Sequence, residues 1–285
     1  MTDMTPPQEA VAAYLRHLKV RNIRPHTIYN RRRALARLAL WAGGRPLLEL
    51  TAAELTEWQE QRSDEISAAA RGAELSNVRE MYRWAYKGGL IERDPTAGLD
   101  MPRAHRGTPR PISEDDLARA LQQADARMAA ILGLASFAGL RAAEIARLNW
   151  AEVGHRDFTP MVRVLDGKGG HGRLITLAPV LVDILLRLPD RTGPVITRID
   201  GQPGHNSPSS ISGLANRYLH RVGIRESLHC GRHRFGTQTY RACQDILAVR
   251  DVMGHATVTS TQIYASASPT VARDAVLAAG VLRIA

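Results

Sequence analysis

The chain is poor in cysteine, in lysine and in long apolar runs, and over one stretch near its start it has no acidic side chain. Two cysteines, Cys230 and Cys243, cannot build a disulfide framework, so a reducing compartment is expected. The longest apolar stretches, such as Met128 to Leu140, are too short and too interrupted to span a bilayer. The opening Met-Thr-Asp-Met-Thr-Pro-Pro has neither the basic nor the apolar part of a signal peptide. A cytoplasmic protein without membrane partners is expected. There is no internal repeat and no low-complexity tract.

What is present describes a soluble globular chain: 285 residues, 44% hydrophobic and 23% charged, enough for two domains of ordinary size, each with its own core. The net charge is +10, and of 38 basic residues only Lys19, Lys87 and Lys168 are lysine. Arginine suits phosphate recognition, because its planar fork donates two parallel hydrogen bonds to one anion. A GC-rich coding sequence also favours arginine, so position carries more weight than total. From Val11 to Leu48 there is no Asp or Glu, yet Arg16, Lys19, Arg21, Arg24, Arg31, Arg32, Arg33 and Arg37 all fall there. One-sign clusters of this density are footprints for polyanions, most often nucleic acid, the alternative being a solvated helical face.

Residues 5–87 read as several short helices. Ala10, Ala13, Tyr14 and Leu18 keep helical spacing, as do Ala34, Leu35, Leu38 and Trp41, with Gly43-Gly44 as a stop. Thr51 with Glu54 is a capping box opening a helix over Leu55 to Gln61, and Ser76 to Trp84 gives another, ended by Gly88-Gly89. A Pro-rich segment, Met101 to Pro111, carries Arg103, Arg106 and Arg110 without an acidic residue, as an extended linker near phosphates would. Ser113 with Asp116 restarts helix. The expected division is therefore a helical domain over 1–98, a linker over 99–111 and a second domain over 112–285. In the second, Arg127–Phe137 and Ala142–Leu148 read as helices, and residues 161–165 and 173–177 as strands flanking a glycine-rich hairpin loop. The expected fold class is mainly α (α+β), two helical domains with one small antiparallel β-sheet in the second.

Four fragments of the second domain carry chemistry: Ala138-Gly-Leu-Arg141-Ala-Ala-Glu144, Gly167-Lys168-Gly-Gly-His-Gly-Arg173, His229-Cys-Gly-Arg232-His233, and Met253-Gly254-His255 running on to Tyr264. A phenol is a weak nucleophile at neutral pH, so a catalytic Tyr264 needs cationic or hydrogen-bonding neighbours; alone it reads as a packing residue. Gly254 suits a helix C-terminus from which His255 emerges, and Thr259 can cap the short helix presenting Tyr264. His229 and Arg232, three apart at a helix start, face one way and suit a phosphate oxygen gaining charge. His229 and His233 as metal ligands lack a carboxylate partner pattern, and His233 reads instead as a packed or supporting residue. A positive Arg141 at a helix start conflicts with the helix dipole unless its side chain points into a site, where Glu144 can orient it; Glu144 is equally an ordinary surface carboxylate. Lys168, at a loop tip, can lose its proton and serve as a general acid; the spacing is not that of a nucleotide-binding P-loop.

In order and spacing these fragments resemble the tyrosine recombinase (phage integrase) family, over about residues 5–264. The resemblance implies that Tyr264 attacks the scissile phosphate, leaving a 3′-phosphotyrosyl link and a free 5′-hydroxyl. Arg141, Arg232 and His229 would hold the phosphoryl oxygens, His255 support the transition state and Lys168 protonate the leaving oxygen. The family's frequent second lysine of the turn is replaced here by His171. Neither metal nor other cofactor is implied, since the covalent link retains the bond energy.

The expected partner is double-stranded DNA with inverted core sites, clamped by the basic helices of a core-binding domain. The free protein is expected to be a monomer and the active form a homotetramer on paired sites, nucleoid-associated when bound, with a directionality factor as a further partner. The apolar stripe Val271, Ala275, Val276 and Ala279 would dock on a neighbouring protomer. The chain is read as a short two-domain integrase of a phage or mobile element, or a Xer-like resolvase. A catalytically silent DNA-binding protein and a type IB topoisomerase are the rivals.

Overall fold

The computed structural model describes residues 6–103, 110–165, 172–255 and 257–262. The chain separates into two compact units, dividing at Gly107/Thr108.

The first unit is built from α1 (Pro6–Val20), α2 (Pro25–Trp41), α3 (Ala52–Glu65) and α4 (Ala68–Lys87). Pro25 opens α2, where a missing N–H costs nothing, and the expected capping box forms: Thr51 Oγ1 accepts from Glu54 N at 3.3 Å and Glu54 accepts from Thr51 N at 2.8 Å. Apolar residues at three- and four-residue spacing turn inward, so Tyr14, Leu18, Leu35, Leu38, Leu55, Trp58, Val78 and Tyr82 make one core. Helix α4 starts earlier than its apolar pattern suggests, because Ser67 caps it by accepting from Ala70 N, and Ala-rich sequence carries the first turns.

Packed into this core is one buried carboxylate. Glu74, 6% exposed, accepts from Arg62 Nε and Nη2 at 3.1 Å each and pairs with Arg37 at 2.5 Å. A buried charge is tolerated only when paired and hydrogen-bonded, and two guanidinium groups meet that requirement here.

The second unit holds α5 (Glu114–Gln123), α6 (Ala126–Phe137), α7 (Ala142–Arg147), β1 (Val153–Arg156), β2 (Thr159–Val164), β3 (Arg173–Thr176), α8 (Pro179–Leu186), α9 (Pro208–Arg221), α10 (Leu228–Cys243) and α11 (Ile246–Met253). Helix α6 is buried all round from Ala129 to Ser136, the central rod against which α5, α8, α9 and α10 pack. The sheet is antiparallel in the order β1-β2-β3, with Val162 opposite both Val153 and Ile175. Val162, Val164 and Ile175 face the core, which fixes the register. Strand β1 is an addition to the two strands read from the sequence; three of its four residues are exposed, so it carries no apolar alternation.

The Glu74 network sets a test. Glu74→Ala leaves Arg37 and Arg62 facing an uncharged gap and is expected to cost about 2 kcal/mol. Urea denaturation of the full chain reads this directly, and a loss within the roughly 0.5 kcal/mol of an ordinary surface change would show the network to be dispensable.

Candidate active site

The site begins with a glycine that nothing else can replace. Gly139, between α6 and α7, has φ +64°, and a Cβ there would lie 2.3 Å from the Phe235 ring. Leu140 then buries itself, and Arg141 becomes the residue that caps α7. It has no capping oxygen of its own. Instead Glu144, one turn in, accepts from the Arg141 backbone N–H at 2.8 Å.

The same carboxylate collects three guanidinium groups. Arg141 Nη1 donates to Glu144 Oε1 at 2.9 Å. Arg173, at the start of β3, grips both oxygens, Nη1 to Oε1 at 3.0 Å and Nη2 to Oε2 at 2.9 Å. Arg232, on the second turn of α10, stands 3.8 Å from Oε2. Burial raises the Glu144 carboxyl, but the Arg173 bonds and charge, the Arg141 N–H and Arg232 outweigh it, so the group stays below the ordinary carboxylate range and ionised.

On their other side the three arginines meet the end of α11. Arg173 Nε donates to Val252 O at 2.8 Å, Arg232 Nη2 to Met253 O at 2.6 Å, and Arg141 Nη2 to Gly254 O at 3.0 Å. These carbonyls belong to the last turn of a helix, where they lack intrahelical partners and the dipole is negative, so cations belong there. Gly254, with φ +62°, ends the helix, and a Cβ on it would sit 2.6 Å from Arg173 Nη1. The arrangement leaves the arginines unequal. Arg232 is sealed, its side chain 2% exposed and also bonded to Gly139 O, whereas the Arg141 side chain is 41% exposed.

Three imidazoles border this cluster. His255 leaves the helix end with Nδ1 2.9 Å from the buried Thr261 Oγ1. His229 and His233, one turn apart on α10, stack edge to face with centroids 4.4 Å apart. Desolvation first, then neighbouring positive charge, lowers all three: Arg232 and Arg141 act on His229, His229 and Arg232 on His233, and chiefly Arg232 on His255. His233 and His255 fall to about 4, so both are neutral at pH 7.

Of the residues expected in the site, Arg141, Glu144, His229, Arg232, His233 and His255 surround the α6–α7 turn and the α10 start. Lys168, Tyr264 and His171 lie outside the described residues, as do the apolar tail and Arg106. Thr259 lies inside a single 3-10 turn, Val258–Ser260, that follows Thr257, so it is not the cap of a helix start. Sequence reading overlooked Arg173. Its signal was present, as the last residue of the glycine-rich fragment and the first of a strand, but nothing local shows that it spans 29 residues to Glu144.

The expected DNA contacts divide. Arg16, Lys19, Arg21, Arg24, Arg32, Arg33, Arg103 and Arg110 are exposed. Arg31 instead donates to Tyr14 Oη at 2.7 Å and to Glu80 at 3.2 Å, and Arg37 pairs with Glu74. Among the described residues no group of three or more His, Cys, Asp or Glu is gathered as a metal would need, and no helix is long and apolar enough to cross a membrane.

The profile of the phage integrase family matches residues 111–270, and that of the phage integrase N-terminal SAM-like domain matches residues 11–89. Tyrosine recombinase XerC of Rhodospirillum centenum is 31% identical over 264 residues, covering 84% of this chain and 76% of that protein. Tyrosine recombinase XerC of Chromobacterium violaceum is 29% identical over 281 residues, covering 90% of this chain and 89% of the other. The fold is similar to that of a lambda integrase dimer bound to a COC′ core site, with TM-score 0.73, 18% identity, and 90% of this chain and 76% of that one covered. It is similar also to XerH site-specific recombinase bound to palindromic difH substrate, with TM-score 0.70, 16% identity, and coverage of 90% and 81%.

The lowered imidazoles fix a pH dependence of stability. Unfolded histidines take up protons as pH falls below 6.5, while folded His233 and His255 stay neutral until about pH 4. The unfolded state binds more protons across that window, so stability is full above pH 6.5 and declines toward pH 4. His233→Gln and His255→Gln are each expected to make the decline shallower in urea titrations at stepped pH. Slopes identical to the parent would remove these rings from the account.

Proposed function

The chain belongs to the phage integrase family, and we propose that within it Tyr264, Arg141, Lys168, His229, Arg232 and His255 carry the strand-transfer reaction. The protein is a tyrosine recombinase, an enzyme that cuts and rejoins DNA at specific sites. The observation that supports the residue assignment is the convergence of Arg141 and Arg232 on the turn of α11 from which His255 emerges, nine residues before Tyr264.

In this reading the scissile phosphate lies against Arg141, whose exposed guanidinium has donors beyond the two it commits to Glu144 and Gly254. The Tyr264 hydroxyl gives up its proton to solvent and its oxygen forms a bond to phosphorus as the bond to the 5′-oxygen breaks, and Lys168 supplies the proton that the leaving oxygen needs. Arg141, Arg232 and the neutral imidazoles of His229 and His255 stabilise the charge growing on the non-bridging oxygens. A 5′-hydroxyl from a partner strand reverses the step. Glu144 and His233 hold these groups in place.

The substrate we propose is duplex DNA with inverted core sites, brought together by four protomers of a protein that is monomeric when free, working in the cytoplasm and on the nucleoid. Residues 1–98 form the core-binding domain, 99–111 the linker and 112–285 the catalytic domain. Integration or excision of a mobile element, aided by a directionality factor, is the first role; resolution of the Xer type is the second, favoured by the nearly full-length match to proteins named XerC.

Tyr264→Phe is expected to abolish covalent attachment to a nicked core-site substrate while leaving binding unchanged, since the hydroxyl is the nucleophile and exposed arginines supply affinity. A covalent band persisting on a denaturing gel would sink the assignment. Among those arginines, neutralising Arg32 and Arg33 should flatten log affinity against log salt by roughly 0.9 for each phosphate left without its cation. Arg31→Gln should leave that slope alone, because its side chain faces Tyr14 and Glu80.

A further inference from the structure

We propose that Arg173 is a positioning residue of the cleavage site, a third guanidinium that sets the geometry of Arg141 and His255 through Glu144 and the end of α11 without touching DNA. The inference rests on the residue assignment above and extends it to a side chain outside the six. Three observations carry it. The Arg173 side chain is 12% exposed and lies against Glu144, itself 12% exposed, as an ion pair at 2.9 Å. Its Nη1 and Nη2 grip Glu144 in a bidentate fork at 3.0 and 2.9 Å, and its Nε donates to Val252 O at 2.8 Å, so the whole planar group is engaged inside the protein. Its neighbours are the groups that need aiming: Glu144 binds the Arg141 side chain and backbone, and Val252 lies three residues before His255.

The geometry makes Arg173 a joint between three elements. It opens strand β3, five residues after Lys168 in the chain, and reaches both the start of α7 and the end of α11. Through one side chain the strand that follows Lys168 in sequence is tied to the helix start bearing Arg141 and to the helix end bearing His255. Lysine cannot replace it, since an ammonium has no planar fork to span both carboxylate oxygens and a carbonyl at once. Gly254 belongs to the same device, because any Cβ there would collide with Arg173 Nη1.

Arg173→Lys and Arg173→Gln in the full chain test this, each alone and combined with Glu144→Gln. The parent's covalent adduct on the nicked substrate is the control for the residue assignment: if the parent forms none, that assignment fails whatever Arg173 does. Given the adduct, both Arg173 variants are expected to bind DNA with the parent's affinity and salt slope, and to cleave about a hundredfold more slowly, as a misplacement of roughly 1 Å in a site costs. Each double variant should cleave no more slowly than Glu144→Gln alone, because the two residues act as one unit. In Arg173→Gln, Glu144 faces only Arg141 and Arg232 as cations, so cleavage should acquire an acid limb at higher pH than the parent, and this limb should vanish in the double variant. A salt slope reduced by roughly 0.9 would make Arg173 a phosphate contact and overturn the proposal. So would independent, multiplying losses in the double variants, or parental cleavage by Arg173→Lys. Should Arg173→Gln fail to fold, Arg173→Lys, which keeps the charge, decides alone.

Discussion

One half-buried carboxylate must hold three guanidinium groups together, and the catalytic unit depends on it. Guanidinium groups repel one another, and in a half-buried setting with an effective dielectric near 20 two unit charges about 4 Å apart interact by about 4 kcal/mol. Glu144 reverses that sign at the centre of the cluster, contacting Arg141 and Arg173 directly and Arg232 at 3.8 Å. The attraction is largely offset by the desolvation of the charges, so the cluster adds little net stability. Its effect is to fix positions. In the proposed reaction a phosphate at Arg141 would meet positive charge already gathered, with no protein rearrangement left to oppose the step.

The second constraint is the end of α11. Three successive carbonyls, of Val252, Met253 and Gly254, each accept from a different arginine. The helix terminus thereby gains partners for groups it cannot satisfy itself, and the arginines gain a negative dipole end to lean on. The next residue is His255. Its place is therefore set by the same bonds that place Arg141 and Arg232, while burial first, and then the nearby cations, lower its proton affinity.

Local signals were legible in the sequence where local physics decides. The Thr51–Glu54 box, the Ser113 cap and the glycines at 139 and 254 gave helix limits that the structure keeps, and the six residues of the motifs that are described do gather at one place. The start of α4 was not legible, because Ala68-Ala-Ala-Arg-Gly has no apolar period, nor was β1, an edge strand with polar faces. Arg173 was hidden for another reason: a strand residue's alternation says which face it takes, never which distant carboxylate waits there. Arg31 turns to Tyr14 and Glu80, and a signal for that inward turn was available. It follows buried Ile28 by three and precedes buried Leu35 by four, so helical spacing already placed it on the inner face of α2.

That last case shows how the protein uses one residue type for two physical ends. Exposed Arg16, Arg24, Arg32 and Arg33 act through a field that 0.15 M salt screens within about 8 Å, so whatever affinity they supply varies with ionic strength. Arg62 and Arg173 act through hydrogen bonds inside the fold, where screening is weak and geometry decides. The net charge of +10 counts both kinds alike. Only the packing separates them, because a guanidinium whose fork is filled by Glu74 or Glu144 has little left to offer a polyanion, however basic the sequence around it.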